Sequence, residues 1–119
     1  MNQMLQSRFA EEWTVVGRLA DIPVQGARVV KSRHGDIAVF RAADDAVFAL
    51  RNACPHRGGP LSEGIVHGHS VTCPLHNFVI SLETGVVEGP DEGCARTIAV
   101  RVEDGVISLD LGRLAGVAP

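Results

Sequence analysis

Four side chains that can bind metal lie in two short motifs, Cys54-Pro55-His56 and Cys73-Pro74-Leu75-His76. Each motif supplies one thiol and one imidazole, and the 16 residues from Arg57 to Thr72 separate the two motifs. Two sulfur donors and two nitrogen donors that converge on one place bind metal strongly. We therefore expect Cys54, His56, Cys73 and His76 to be the cofactor and metal ligands.

The order of the donors favours one type of metal centre. A zinc finger usually takes a Cys pair from one arm and a His pair from the other, so that a single ion has four ligands. Here each arm carries one Cys and one His, so both sulfurs can bind one iron and both imidazoles a second iron, as in a [2Fe-2S] cluster in which two His replace two Cys. The [2Fe-2S] cluster is the favoured interpretation, and structural zinc on the same four residues is the alternative.

The other Cys and His residues are given no ligand role. Cys94 has no matching fourth cysteine, so we interpret it as a small buried hydrophobic residue. His67 and His69 lie between the two motifs and His34 lies in a distant turn, and we expect all three at the surface. Arg57, beside His56, is interpreted as a single solvated charge.

Length and charge limit the classes of function. A chain of 119 residues is the size of one domain, and its net charge of -3 with one lysine gives no basic surface for nucleic acid or anionic lipid. The first twelve residues are polar, unlike a signal peptide, and no apolar run reaches the roughly 20 residues of a membrane-spanning helix. We expect a cytoplasmic protein with no nucleic-acid or membrane partner.

The rest of the chain has the pattern of short antiparallel strands. Runs rich in Val, Ile, Phe and Thr are separated by turn residues such as Gly, Asp and Pro. The predicted strands cover residues 13–19, 27–33, 36–42, 46–52, 77–82, 86–87, 96–103 and 106–111. This pattern predicts an all-β domain over residues 13–111 with a metal-binding subdomain at about 52–90, an N-terminal extension at 1–12 that forms a short helix or a frayed end, and a tail at 112–119.

Two expectations concern how side chains are distributed over the strands. Ile37, Val39, Val47 and Ala49 are not expected to share one face of the sheet, which leaves the strand register open. Arg96–Glu103 alternates strictly, which predicts a single strand with Ile98, Val100 and Val102 on one side.

The sequence contains no recognisable substrate site. It has no cluster of nucleophile, base and orienting group, and no glycine-rich loop that follows a strand and opens a helix around a phosphate. We therefore expect an electron carrier that has no substrate site of its own. Only the assembly that it joins would be an enzyme.

The two motifs, with a Pro after each Cys, resemble those of Rieske-type ferredoxins. The segments RGGPLSEGIVHGHSVTCPLHNFVISLETG and DEGCARTIAVRVEDGVISL more narrowly resemble the small subunit of assimilatory NAD(P)H-dependent nitrite reductase. The likeness runs from about Trp13 to Leu111. It implies a Rieske-like fold of three antiparallel β-sheets, with a Rieske-type [2Fe-2S] cluster at the tip of a small cluster-binding subdomain.

The same resemblance implies a partner. In that family the partner is a cytoplasmic, siroheme-containing nitrite reductase large subunit with a [4Fe-4S] cluster and FAD, which reduces nitrite to ammonium with NAD(P)H. Two other functions stay open: a free Rieske ferredoxin that carries electrons to an aromatic-ring oxygenase, and a redox-inactive, zinc-stabilised interaction domain.

Several neighbours of the motifs are candidates for contact with the cluster. Gly58 and Gly59 either direct backbone N–H groups at the sulfides or simply form a turn. Pro74 stiffens the second loop, and Pro90 is a candidate to close a third loop over the cluster. Asn77 and Phe78, which follow the second motif, complete the set.

The resemblance also predicts the midpoint potential. High-potential Rieske proteins have a disulfide between the loops and hydroxyl donors to the sulfurs, but here Gly59 and Leu75 occupy the disulfide positions and Phe78 and Ile80 the hydroxyl positions. We therefore predict a potential in the lower part of the Rieske range of roughly -150 to +300 mV. A redox titration followed by EPR measures it, and a clearly positive midpoint contradicts the prediction.

Overall fold

The computed structural model describes residues 12–33, 35–55, 59–74, 77–88 and 93–112. Short apolar runs bounded by turn residues form most of the strands in these ranges. The strands are β1 (Trp13–Arg18), β2 (Ala27–Ser32), β3 (Gly35–Arg41), β4 (Val47–Arg51), β5 (Ile65–His67), β6 (Ser70–Thr72), β7 (Val79–Ser81), β8 (Thr97–Ile98), β9 (Val100–Glu103) and β10 (Val106–Asp110). Two 3-10 helices, Leu19–Asp21 and Leu61–Glu63, lie between strands. Residues 1–11 of the predicted N-terminal extension and the predicted third loop at Pro90 fall outside the described residues.

The strands form three antiparallel sheets, which confirms the predicted all-β class. Sheet 1 has the order β1-β10-β9, sheet 2 the order β2-β3-β4-β8 and sheet 3 the order β5-β6-β7. None of the helices in the described ranges is both long and apolar enough to cross a lipid bilayer.

Sheet 3 contains a hairpin that the sequence analysis did not predict. Strands β5 and β6 have three residues each and pair with Ile65 opposite Thr72 and His67 opposite Ser70. Val66 and Val71 point into the core, while Ile65 is 70% exposed. A run of three residues is too short for its alternation to be distinguished from a loop.

The central strands β3 and β4 of sheet 2 are buried on both faces. Ala38, Phe40 and Leu50 pack into the core shared with sheet 3, here called core A. On the other face, Ile37, Val39, Ala49 and Ile98 form core B with Ile107 and Leu109 of sheet 1 and with Ile22. Burial on both faces explains why β3 and β4 have nearly continuous apolar runs.

The expectation that Ile37, Val39, Val47 and Ala49 do not share one face was wrong. Val39 lies opposite Ala49, and Arg41 lies opposite Val47. Directly opposed residues point to the same side of a sheet, as do residues two apart along a strand. All four therefore lie on the side of core B.

The expectation of one strand over Arg96–Glu103 was also wrong. β8 pairs with β4 in sheet 2, whereas β9 pairs with β10 in sheet 1, and Ala99 lies between them. The chain changes sheets at Ala99, but the predicted common side is kept, because Val100 and Val102 lie opposite Leu109 and Ile107 of core B. Ile98 is buried, but Val102 is 41% exposed.

Apolar packing joins sheet 3 to sheet 2. Leu61, Val66, Val71, Ile80 and Leu82 from the sheet 3 side belong to core A with Phe40 and Leu50. At one edge, the Gln25 side-chain amide also donates a hydrogen bond to the Val66 carbonyl, with a distance of 3.4 Å.

The turn that follows sheet 3 depends on the absence of a side chain at Gly85. Gly85 has a φ of +78°, and a Cβ there would lie 2.1 Å from the Ala95 carbonyl oxygen. The Ala95 amide also donates a 2.7 Å hydrogen bond to the Gly85 carbonyl, which holds the two backbone segments together.

We predict that Gly85→Ala lowers the midpoint of thermal unfolding by about 8 °C or more. The energy of a left-handed backbone conformation and the energy of the backbone clash add, and each kcal/mol lowers the midpoint of a small domain by about 4–8 °C. Gly68→Ala is the matched control, because Gly68 also has a positive φ, of +56°, but has open space around its Cβ position. The control is expected to lose about 4 °C. Circular dichroism measures both, and equal losses would contradict the role of the Ala95 contact.

Candidate metal centre

The first motif begins three residues after the end of β4, and the chain between them is tied to sheet 2 by its backbone. The Asn52 amide donates to the Asp36 carbonyl over 2.9 Å. The Asn52 side-chain oxygen accepts a 2.8 Å hydrogen bond from the Ser62 amide. These bonds fix the approach to Cys54, which is 2% exposed.

The second motif joins β6 to β7. Cys73 follows the last residue of β6 and is fully buried. Asn77, two residues before β7, has a left-handed φ of +59°, and its amide donates to the Cys73 carbonyl over 3.1 Å. The sheet thus holds both ends of this loop.

The two loops are closed in the same way. The Cys54 amide donates to the Gly59 carbonyl over 2.8 Å, and the Cys73 amide donates to the Phe78 carbonyl over 2.7 Å. In each case the acceptor lies five residues after the cysteine. Each bond therefore closes a loop of equal length that begins with a thiol and contains one imidazole in its sequence.

Cys54 and Cys73 belong to one buried cluster, core A. None of the three cysteines, which all lie within the described ranges, forms a disulfide bond. A thiolate in an apolar environment needs a compensating cation, and a metal bound by both sulfurs supplies one. With His56 and His76 from the same loops, the donors fit a two-sulfur, two-nitrogen centre.

Comparison with known proteins identifies the type of centre. The chain matches the Rieske [2Fe-2S] domain family over residues 12–102. It belongs to that family. A Rieske domain binds a [2Fe-2S] cluster and transfers electrons, so the predicted cofactor is confirmed.

Relatives of two functional classes are similar to this Rieske chain. It is 31% identical over 102 residues to the anthranilate 1,2-dioxygenase ferredoxin subunit of Burkholderia cepacia. This match covers 85% of this chain and 94% of the relative. The solved structure assigned as a nitrite reductase NADPH small subunit superposes with a TM-score of 0.71 at 27% identity, covering 81% of this chain and 97% of the other.

The chain also resembles part of a larger protein. It is 39% identical over 67 residues to the dicamba O-demethylase oxygenase component of Stenotrophomonas maltophilia. This match covers 56% of the chain but only 20% of the relative.

The other predicted neighbours of the cluster have different surroundings. Gly59 is buried and Phe78 is half-buried against core A, whereas Pro74 and Asn77 are exposed. His56, Gly58, Leu75, His76 and Pro90 lie outside the described residues, as do His34 and Arg57. The assignment of the four ligands therefore stays a prediction.

The interpretation of Cys94 as a buried hydrophobic residue was wrong. Cys94 is exposed. Its backbone forms an isolated antiparallel bridge with Val86, which is itself exposed, at the margin of sheet 3. A position in such a bridge does not bury the side chain, and no local sequence pattern indicates the bridge.

The sequence predicts that His67 and His69 both lie at the surface without a special role. His67 is exposed, as predicted, and its Nε2 lies 2.7 Å from the Thr72 hydroxyl. His69 is different, because both of its ring nitrogens contact carboxylates, those of Asp44 and Glu83. These partners are 25 and 14 residues away along the chain, so no local motif could reveal them.

We predict that Cys54→Ser loses the bound iron and the visible absorption of the cluster, since the hydroxyl of serine is a poor substitute for a thiolate. Residues 53–81 become less protected from hydrogen exchange, while sheets 1 and 2 keep their far-UV circular dichroism.

Cys94→Ser is the matched control, because Cys94 is the remaining cysteine and is exposed. It is expected to keep wild-type iron and sulfide content. A Cys54→Ser protein with full iron and sulfide would show that Cys54 is not a ligand.

Proposed function

We propose that this chain is the Rieske electron-transfer subunit of an assimilatory NAD(P)H nitrite reductase, acting in the cytoplasm with a siroheme-containing large subunit that reduces nitrite to ammonium. The observation that carries the proposal is the likeness of residues 57–85 and 91–109 to the small subunit of that enzyme. The structural likeness at 27% identity to a protein assigned as such a subunit supports it.

The proposed ligands are Cys54 and Cys73 for one iron and His56 and His76 for the other. When bound, the cluster supplies one-electron transfer. Core A keeps water away from the two thiols, since both are almost fully buried. Phe78 and Ile80 add apolar surface after the second loop and offer no hydroxyl donor to the sulfurs, which favours a low potential.

A carrier of this kind needs a contact surface next to its loops. Pro60 follows the first loop and is exposed, and Pro74 lies in the second loop and is exposed. Ile65 pairs with Thr72, the residue before Cys73, and is 70% exposed. These residues give the loop side of sheet 3 an apolar surface that suits transient docking to a partner.

A second candidate function is that of a free ferredoxin for a ring-hydroxylating oxygenase. It is favoured by the 31% identity to the ferredoxin subunit of anthranilate 1,2-dioxygenase over nearly the whole of that relative. The fold and the ligands are compatible with both functions, so the partner distinguishes them.

We expect the tagged native protein, purified from its own cells with bound partners, to recover a protein with siroheme absorption and nitrite-dependent oxidation of NADH or NADPH. Recovery of a reductase and an oxygenase instead, without siroheme, would overturn the proposal and support the second candidate.

Two exposed apolar residues provide a test of the docking side. Ile65→Asp on sheet 3 is expected to reduce recovery of the partner at least about tenfold, because a charge at a contact residue opposes docking. Val15→Asp on sheet 1 is the control, since Val15 is similarly exposed at 65%. Equal recovery with both variants would show that the partner does not contact the Ile65 side.

A further inference from the structure

His69 lies in the turn between β5 and β6 and is placed between two carboxylates. Its Nδ1 is 2.7 Å from Oε2 of Glu83, and its Nε2 is 2.9 Å from Oδ2 of Asp44. The side chain is 36% exposed, and its ring packs against Phe48 with a centroid distance of 5.0 Å.

These two contacts require protons on both ring nitrogens. An ionised carboxylate can only accept hydrogen bonds, and a neutral imidazole carries only one N–H group. In the neutral form, a nitrogen lone pair would face a carboxylate oxygen at hydrogen-bonding distance. The geometry therefore matches an imidazolium ion. It does not match a metal site, because the two carboxylates contact opposite nitrogens and cannot share one ion with the ring.

The three residues connect separate parts of the fold. Asp44 lies in the turn between β3 and β4 of sheet 2, and Glu83 lies in the turn after β7 of sheet 3. The His69 carbonyl also accepts a 2.8 Å hydrogen bond from the Leu82 amide. His69 thus links the β5–β6 hairpin both to its own sheet and to sheet 2.

Other charged groups on the packed elements have different contacts. Asp45, next to Asp44, forms an ion pair of 2.9 Å with Arg41. Glu88 accepts a hydrogen bond from the Ser70 hydroxyl, and Arg96 lines the same groove as Glu83. His67 contacts Thr72. His69 is therefore the group placed to neutralise Asp44 and Glu83 together.

We propose that His69 forms a pH-dependent tertiary contact. As an imidazolium it holds the β5–β6 hairpin against the Asp44 turn of sheet 2, and on deprotonation it releases the hairpin. The hairpin precedes Cys73 directly, so its attachment sets the mobility of the chain that enters the second metal-binding loop. Core A still holds sheet 3 after release, and the change is a local loosening rather than unfolding.

The two carboxylates set the pH range over which the His69 contact forms. Hydrogen bonds to Glu83 and then Asp44 raise the pKa of His69 above its ordinary value of 6.5. The hydrogen bond to His69 lowers the pKa of Asp44 below its ordinary value of 3.8. A raised histidine pKa means that the stabilisation is complete below pH 6.5 and is lost as the pH rises through the folded-state pKa. A lowered aspartate pKa means that the stabilisation is present above pH 3.8 and is lost as the pH falls through the folded-state pKa.

The test is hydrogen exchange at the Leu82 amide of the cluster-loaded protein between pH 6 and pH 9, corrected for the intrinsic pH dependence of exchange. In the wild type, we expect the opening equilibrium constant of this amide to rise at least about threefold across that range. In His69→Gln, we expect it to be high at pH 6 and to change little with pH, since glutamine does not titrate.

His67→Gln is the matched control, because His67 lies on the same hairpin but contacts only the Thr72 hydroxyl among the hydrogen bonds described. It is expected to keep the wild-type pH profile. Glu83→Gln removes one carboxylate and is expected to move the midpoint of the profile to lower pH.

The visible spectrum of the cluster, recorded at each pH, separates this effect from titration at the metal centre. It is expected to be the same in the wild type and in His69→Gln. A wild-type pH profile in His69→Gln, or an unmoved midpoint in Glu83→Gln, would overturn the proposal.

Discussion

The burial of two thiols in one apolar cluster is the constraint on which the loop side of this protein depends. A buried thiolate is costly, by roughly several kcal/mol, unless a cation lies next to it. The chain therefore has to bring Cys54 and Cys73 together and keep water out. It does so by starting each loop within three residues of a strand end and closing it with a hydrogen bond from the cysteine amide to the carbonyl five residues later. In the Rieske family, to which the chain belongs, the cation is the iron of a [2Fe-2S] cluster, which the proposed ligands Cys54 and Cys73 would contact.

The motifs and most strands could be predicted from local sequence because their signals are short-range. Cys54 with His56, and Cys73 with His76, are close neighbours in sequence, and turn residues such as Asp104 and Gly105 mark the ends of strands. Rieske membership and the three antiparallel sheets followed from these features and the resemblance built on them.

The features that could not be predicted depend on pairing between distant segments. The common face of Val39 and Ala49 follows from the register of β3 with β4, which no local pattern specifies. The break at Ala99 exists because β8 and β9 have partners in different sheets. The exposure of Cys94 and the two carboxylates around His69 have the same origin, since their contacts join residues far apart in the chain.

The double-sided burial of β3 has a consequence for how this fold can vary. Ala38 and Val39 are consecutive, yet Ala38 packs into core A with both thiols and Val39 packs into core B, in contact with sheet 1. β3 thus separates two hydrophobic cores, which share its backbone but are filled by different side chains. Substitutions on one side change the surroundings of the two thiols, while those on the other side change the stability of the scaffold. Evolution and protein engineers can alter the two properties almost independently, one residue apart.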